Sequence, residues 1–207
     1  MEISVHDLIK VNNYTDIFTE NELPLWVKAA LAKNPYVVVR RSLSPKQFLP
    51  IGIRGDKRSE RYSAFIDRTK AIKVIRPEDI VKNKLWKERK EGIFQYLNSI
   101  ENIMHRASVE WGIIGSVAFE LVTQNQHVSE SSDIDIIVRY QPSMTYENCF
   151  NIVKQLKEIP INVDIQVEYG KKAYSMHEYV ENPENKILIK TEVGPELNYI
   201  DTCKMTF

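Results

Sequence analysis

A chain of 207 residues, 43% hydrophobic and 27% charged, can bury one large or two small cores and is too apolar to be disordered. Its 28 basic and 28 acidic side chains cancel, which argues against a general nucleic-acid binder. No apolar run reaches transmembrane length and no signal-peptide pattern opens the chain, so no membrane partner is expected.

Taken in order, residues 5–9 fit either a helical turn or a strand. Leu23, Trp26, Val27, Ala30 and Leu31 share one face of a predicted helix over 22–31, with Pro24 tolerated only in its first turn. Residues 36–40 are a β-branched run and 49–55 a second strand closed by glycine. The segment 61–74 stays open: Tyr62, Ala64 and Ile66 alternate, yet Phe65, Thr69 and Ile72 have helical spacing. Arg40, Arg41, Arg54, Lys57, Arg58 and Arg61 cluster here. Arginines at strand ends suit bidentate capture of phosphate. The alternative is a solvated surface balanced by Asp56, Glu60 and Asp67.

Residues 84–107 read as one long amphipathic helix, with Ile93, Leu97, Ile100 and Met104 on one side. It would bridge (81–108) a first domain, 1–80, and a second, 109–207. From Trp111 the expected order is strand, helix (116–124), strand (133–139), helix (145–159), strand (162–169), short helix (174–180) and strand (186–192). Phe150, Val153, Leu156 and Ile159 are the expected core face of the helix 145–159. Such alternation indicates an α/β (α+β) class: a mixed sheet flanked by helices, with a smaller N-terminal α+β domain.

The chemistry concentrates in this second part. Gly115-Ser116 follows an apolar run and opens a helix, where backbone N–H groups and a hydroxyl can approach an anion closely. In Ser132-Asp133-Ile134-Asp135 the period of two puts both aspartates on one strand face. Paired carboxylates repel unless a cation sits between them, and Mg²⁺ prefers oxygen ligands completed by phosphate. Asp164 supplies a third acid on a further strand. A phosphate cradle followed by metal carboxylates is the layout of a phosphoryl- or nucleotidyl-transfer site. Lys190 closes a strand and is placed to neutralise a triphosphate, or is an exposed strand end. None of His6, His105, His127 and His177 has a partner at zinc spacing. His177, close after the Asp164 strand, either lines the site or is a surface histidine on a short helix. Cys149 and Cys203 lack metal or redox spacing and fit reduced thiols in the cytoplasm.

On Gly115, Ser116, Asp133, Asp135 and Asp164 the second part resembles the nucleotidyltransferase superfamily of DNA polymerase beta, with a longer gap before Asp133. A narrower resemblance spans nearly the whole chain. The segments His6-Asp7-Leu8, Val38-Val39-Arg40-Arg41, Leu49-Pro50-Ile51-Gly52-Ile53, Arg61, Gly115-Ser116 through Thr123, Ser132 to Asp135, Asp164, Tyr169-Gly170 with Ala173, and Ile187 to Thr191 are similar to the phosphoribosyl-dephospho-CoA transferases. These are also called malonate decarboxylase holo-acyl-carrier-protein synthases. Gln124 and Val5 depart from the family, which more often has glycine and arginine there.

The resemblance implies transfer of a prosthetic group from triphosphoribosyl-dephospho-CoA to a serine of the apo acyl carrier protein subunit of malonate decarboxylase, with loss of diphosphate. It further implies Mg²⁺ on Asp133, Asp135 and Asp164, with Gly115, Ser116, Arg40, Arg41 and Lys190 about the donor. Adjacent strand residues point to opposite faces, so at most one of Arg40 and Arg41 should touch that donor. Two other readings compete: a transferase that adenylylates a protein or small molecule, and a non-catalytic nucleotide-binding module.

Overall fold

The computed structural model describes residues 2–57, 59–141, 144–182 and 186–199, and the chain divides into the units Met1–Arg76 and Pro77–Phe207. The first unit has six antiparallel strands: β1 (Leu8–Lys10), β2 (Ile17–Phe18), β3 (Tyr36–Val39), β4 (Phe48–Arg54), β5 (Arg61–Asp67) and β6 (Lys73–Ile75). Their order is β2-β5-β4-β3-β1-β6. Among the described residues of this unit a single α-helix, α1 (Leu25–Lys33), accompanies the sheet. Alternation decides the sheet's inner face: Leu49, Ile51 and Ile53 of β4 join Ala64 and Ile66 of β5, Val37 and Val39 of β3, and Val27 and Leu31 of α1 in one core.

Residues 5–9 resolve as a turn into β1. His6 takes φ 73°, and the buried Asp7 carboxylate accepts the Ser4 amide at 2.8 Å. The open segment 61–74 is strand β5, a one-turn 3₁₀ helix and strand β6. Asp67 makes the break by accepting the Thr69 amide at 2.9 Å, a local bond that competes with the ladder. Its hydrogen bonds from Gln47 and Thr69 hold that carboxyl below the usual aspartate range.

The second unit carries α2 (Pro77–Lys82), α3 (Leu97–Arg106), β7 (Trp111–Ile113), α4 (Gly115–Thr123), β8 (Ile134–Arg139), α5 (Tyr146–Leu156), β9 (Val163–Tyr169), β10 (Lys172–Ser175), α6 (Met176–Glu181), β11 (Lys186–Thr191) and β12 (Gly194–Tyr199). The sheet order is β12-β11-β10-β9-β8-β7, antiparallel except for the parallel pair β8–β9. Helix α5 makes the crossover that a parallel pair requires. Among the described residues no helix is long and apolar enough to cross a membrane.

Two expectations are corrected. The long helix over 84–107 is broken. Lys84 and Gly92 take φ 47° and 55°, values that interrupt a right-handed helix, and within 84–107 only Leu97–Arg106 is regular α-helix. Its apolar residues were identified correctly, since Ile93, Leu97, Ile100 and Met104 are all buried. On α5 the core face is Cys149, Ile152, Val153 and Leu156, while Phe150 is 45% exposed and stacks beside Tyr146. The hairpin strand β12 has no counterpart in the sequence reading. Its burial is low, so no apolar alternation announces it.

Candidate functional site

Strand β8 positions the acids. Ile134 and Ile136 are fully buried, so the intervening Asp135 points to the other face, where it is half-buried. Asp133 lies just before the strand and is exposed. On β9 the exposed Asp164 sits between the buried Val163 and Ile165. Asp135 and Asp164 are register partners on the two parallel strands. Adjacent strands lie about 4.8 Å apart, so the two carboxylates start side by side on one face.

Gly115 opens α4 directly against this pair. It takes φ 71°, and a Cβ there would overlap the Asp135 carboxylate. Both facts demand glycine. The Ile114 amide donates to the Asp135 carbonyl at 2.9 Å and so fixes the helix start to the strand. Ser116 lies half-buried in the first turn of α4.

Lys190 of β11 pairs with Ala173 of β10, which in turn pairs with Glu168 of β9. It therefore belongs to the face of Asp164, Gln166 and Glu168. Its ammonium is not at an acid: it donates to Gln166 Oε1 at 2.6 Å, and Gln166 donates on to Glu168 Oε1 at 2.7 Å. His177 is more than a surface residue, since its Nε2 is 2.8 Å from the Val163 carbonyl, next to Asp164.

Glu120 is a residue that sequence reasoning missed as a site element. It is 4% exposed, and it accepts the His127 and Val128 amides and the Arg89 guanidinium, each at 2.8 Å. Burial pushes its carboxyl up, but these donors outweigh burial and hold it below the ordinary glutamate range. The Arg89 ring contact with Phe94, 4.1 Å from the centroid, and the edge-on His127–Phe119 pair complete the network. Glu120 thereby anchors the loop that runs from α4 to Asp133. The only sequence signal was a glutamate on the apolar face of a helix.

Arg40 and Arg41 belong to the first unit and correct one expectation: β3 ends at Val39, so neither is a strand residue. The Arg40 amide still donates to the Pro50 carbonyl at 2.8 Å, and its aliphatic stem lies over Gly52. Arg41 is in the bend that follows. Arg58 and Cys203 lie outside the described residues.

Among the described residues no three His, Cys, Asp or Glu side chains form a ready-made metal cage. An all-oxygen pair beside a glycine-started helix still matches the way Mg²⁺ is bound, by one or two carboxylates with substrate phosphates supplying the rest.

Residues 4–77 match the family model described as the phosphoribosyl-dephospho-CoA transferase MdcG N-terminal domain, and residues 82–200 match that of the C-terminal domain. A phosphoribosyl-dephospho-CoA transferase of Azotobacter vinelandii is 24% identical over 181 residues, 84% of this chain and 83% of the relative. One of Pseudomonas fluorescens is 28% identical over 169 residues, 82% and 81% of the two chains. One of Klebsiella pneumoniae is 26% identical over 197 residues, 93% and 92%. No solved structure matches the chain. The protein is thus of the transferase class. It belongs to the phosphoribosyl-dephospho-CoA transferase family.

Proposed function

We propose that this protein moves the phosphoribosyl-dephospho-CoA group from triphosphoribosyl-dephospho-CoA onto a serine of the apo acyl carrier protein subunit of malonate decarboxylase, in the cytoplasm, by Mg²⁺-dependent nucleotidyl transfer. The observation that carries the reading is the register pairing of Asp135 with Asp164 over a helix start that only glycine fits. Both family matches add support, because together they span the two units.

Asp133, Asp135 and Asp164 are the residues that would hold Mg²⁺, which supplies positive charge against the triphosphate. Gly115 and Ser116 receive phosphate oxygens at the start of α4, where backbone N–H groups face outward. The serine oxygen of the carrier protein forms a bond to the α-phosphorus of the donor. The bond from that phosphorus to the bridging oxygen breaks, and diphosphate leaves with the electron pair. The hydroxyl proton passes to the Asp164 carboxylate.

The test is intact-mass spectrometry of apo carrier protein after incubation with this protein, donor and Mg²⁺. A gain equal to donor minus diphosphate, absent with Asp135→Asn, is expected. A gain of AMP from ATP with none from the donor would establish an adenylyltransferase instead.

A further inference from the structure

The sheet face that carries Asp135 and Asp164 runs on through β9 and β10 to β11 and β12, because register partners on adjacent strands share a face. Ser175 stands opposite Gln166, and Ala173 links Glu168 to Lys190. On the end strand, Pro195, Leu197 and Tyr199 stand opposite Lys190, Leu188 and Lys186. The two sides of this face differ. On the β7 side α2 lies over it: Pro77 occupies the space a Cβ on Gly112 would need, and Glu78 accepts the Arg139 guanidinium at 2.9 Å. On the β12 side the face is open, with Leu188 42% and Leu197 59% exposed.

An apolar row on an end strand is a liability that proteins usually blunt, and where it is kept it marks an interaction site. This row is flanked by cations whose partners are neutral. Lys190 donates to Gln166 Oε1 at 2.6 Å, and the Lys186 ammonium lies 5.8 Å from the Tyr199 ring centroid. The Glu178 carboxylate is turned to the Leu188 amide, from which it accepts at 2.9 Å. The surface is thus apolar at its centre and positive on both sides, the complement of a segment that is apolar and acidic.

We propose that this face of β11 and β12 seats the acceptor carrier protein, through an amphipathic helix whose apolar side chains pack on Leu188 and Leu197 and whose carboxylates meet Lys186 and Lys190. The inference rests on the proposed transfer, in which a protein must bring a serine to Asp164. With α2 over the β7 side, the approach across the described residues of this sheet is from β12. Three strand spacings, about 14 Å, separate β9 from β12. A helix is about 10–12 Å across with its side chains, so one seated on the hairpin has its edge beside Asp164 and leaves the acids open to a serine at its end.

Calorimetry of the full chain with the apo carrier protein alone tests the face, with steady-state transfer measured beside it. Wild type should bind the carrier, and more weakly as salt rises. Leu197→Asp and Lys186→Glu lie outside the core and should keep the melting temperature. Each should weaken carrier binding by about tenfold or more and raise the carrier KM to match, with donor KM and kcat unchanged. Glu196→Gln, exposed on the opposite face of β12, should change none of these. Carrier binding unchanged in both Leu197→Asp and Lys186→Glu would overturn the assignment. So would self-association of the wild type that Leu197→Asp abolishes and the carrier does not compete with, since the face would then belong to a second copy of the chain. Carrier binding that both variants lose, with no transfer by wild type, would remove the transfer reading and leave the docking face standing. Transfer with an unchanged carrier KM in both variants would do the reverse.

Discussion

Both units are built on six-stranded sheets, and each sets like charges side by side, but by different routes. In the first, antiparallel pairing puts the end of β4 beside the start of β5, so Arg54 meets Arg61. In the second, the parallel pair puts two strand starts together, so Asp135 meets Asp164. The antiparallel pair needs only a short connection; the parallel pair needs α5 between its strands. Under the proposed function the acidic pair is the one that would take a cation, since like charges placed opposite one another are costly without a counter-charge.

The comparison breaks most visibly at the acids. Asp135→Asn is nearly isosteric and should leave the melting temperature unchanged while transfer falls on the order of a thousandfold or more, as lost electrostatic stabilisation does. Full activity in a folded variant would strip the parallel pair of its role. Asp164→Ala should depress turnover at saturating donor by about a hundredfold or more, with donor affinity little changed, since removing a general base costs roughly that much. The opposite pattern, normal turnover with collapsed donor binding, would assign Asp164 to binding.

On the basic side, Arg40→Ala should weaken donor binding roughly tenfold to a hundredfold, because a charge-assisted hydrogen bond is worth about 1.5–3 kcal/mol. Arg41→Ala, in the bend beyond β3, should lose mainly melting temperature. Calorimetry and thermal melts on the same two proteins check this. Unchanged affinity in both would take these two arginines out of the donor site.

Glu120 sharpens the contrast in stability. Glu120→Gln should cost the second unit about 1.5–3 kcal/mol, read by chemical denaturation. Because the folded carboxyl titrates below its ordinary value of 4.5, its contribution is complete above that pH. It disappears as the pH falls through the folded value. The wild type should therefore lose stability on acidification below about 4.5 more steeply than the variant.

The smallest effect is at Cys149, whose thiol burial pushes up to about 12. In a Cys203→Ser background it should resist alkylation at neutral pH until the second unit opens. Immediate labelling of the folded protein would contradict the burial of α5.

Strands β4 and β8 were legible because alternation is a local property. Leu49, Ile51 and Ile53, and Ile134 and Ile136 around Asp135, each declare a buried face within a few residues. The same locality put Gly115-Ser116 at a helix start; it also placed Asp133 on the strand with Asp135, whereas the strand begins only at Ile134. The break in the helix over 84–107 was not legible, because its apolar residues keep helical spacing while the backbone reverses at Lys84 and Gly92. Phe150 misled for a related reason. A helix turned by one residue buries Cys149 instead, and tertiary contact chooses between the two.

By itself the sequence determined the two strand-borne acid segments, the glycine that opens α4 and the basic character of the first unit. Tertiary structure alone decided that Asp135 stands opposite Asp164, that Arg54 stands opposite Arg61, and that Glu120 holds the loop before Asp133. Periodicity tells a strand which face is buried. Register is set by the neighbouring strand and the connection between them, a non-local choice that no window of sequence contains.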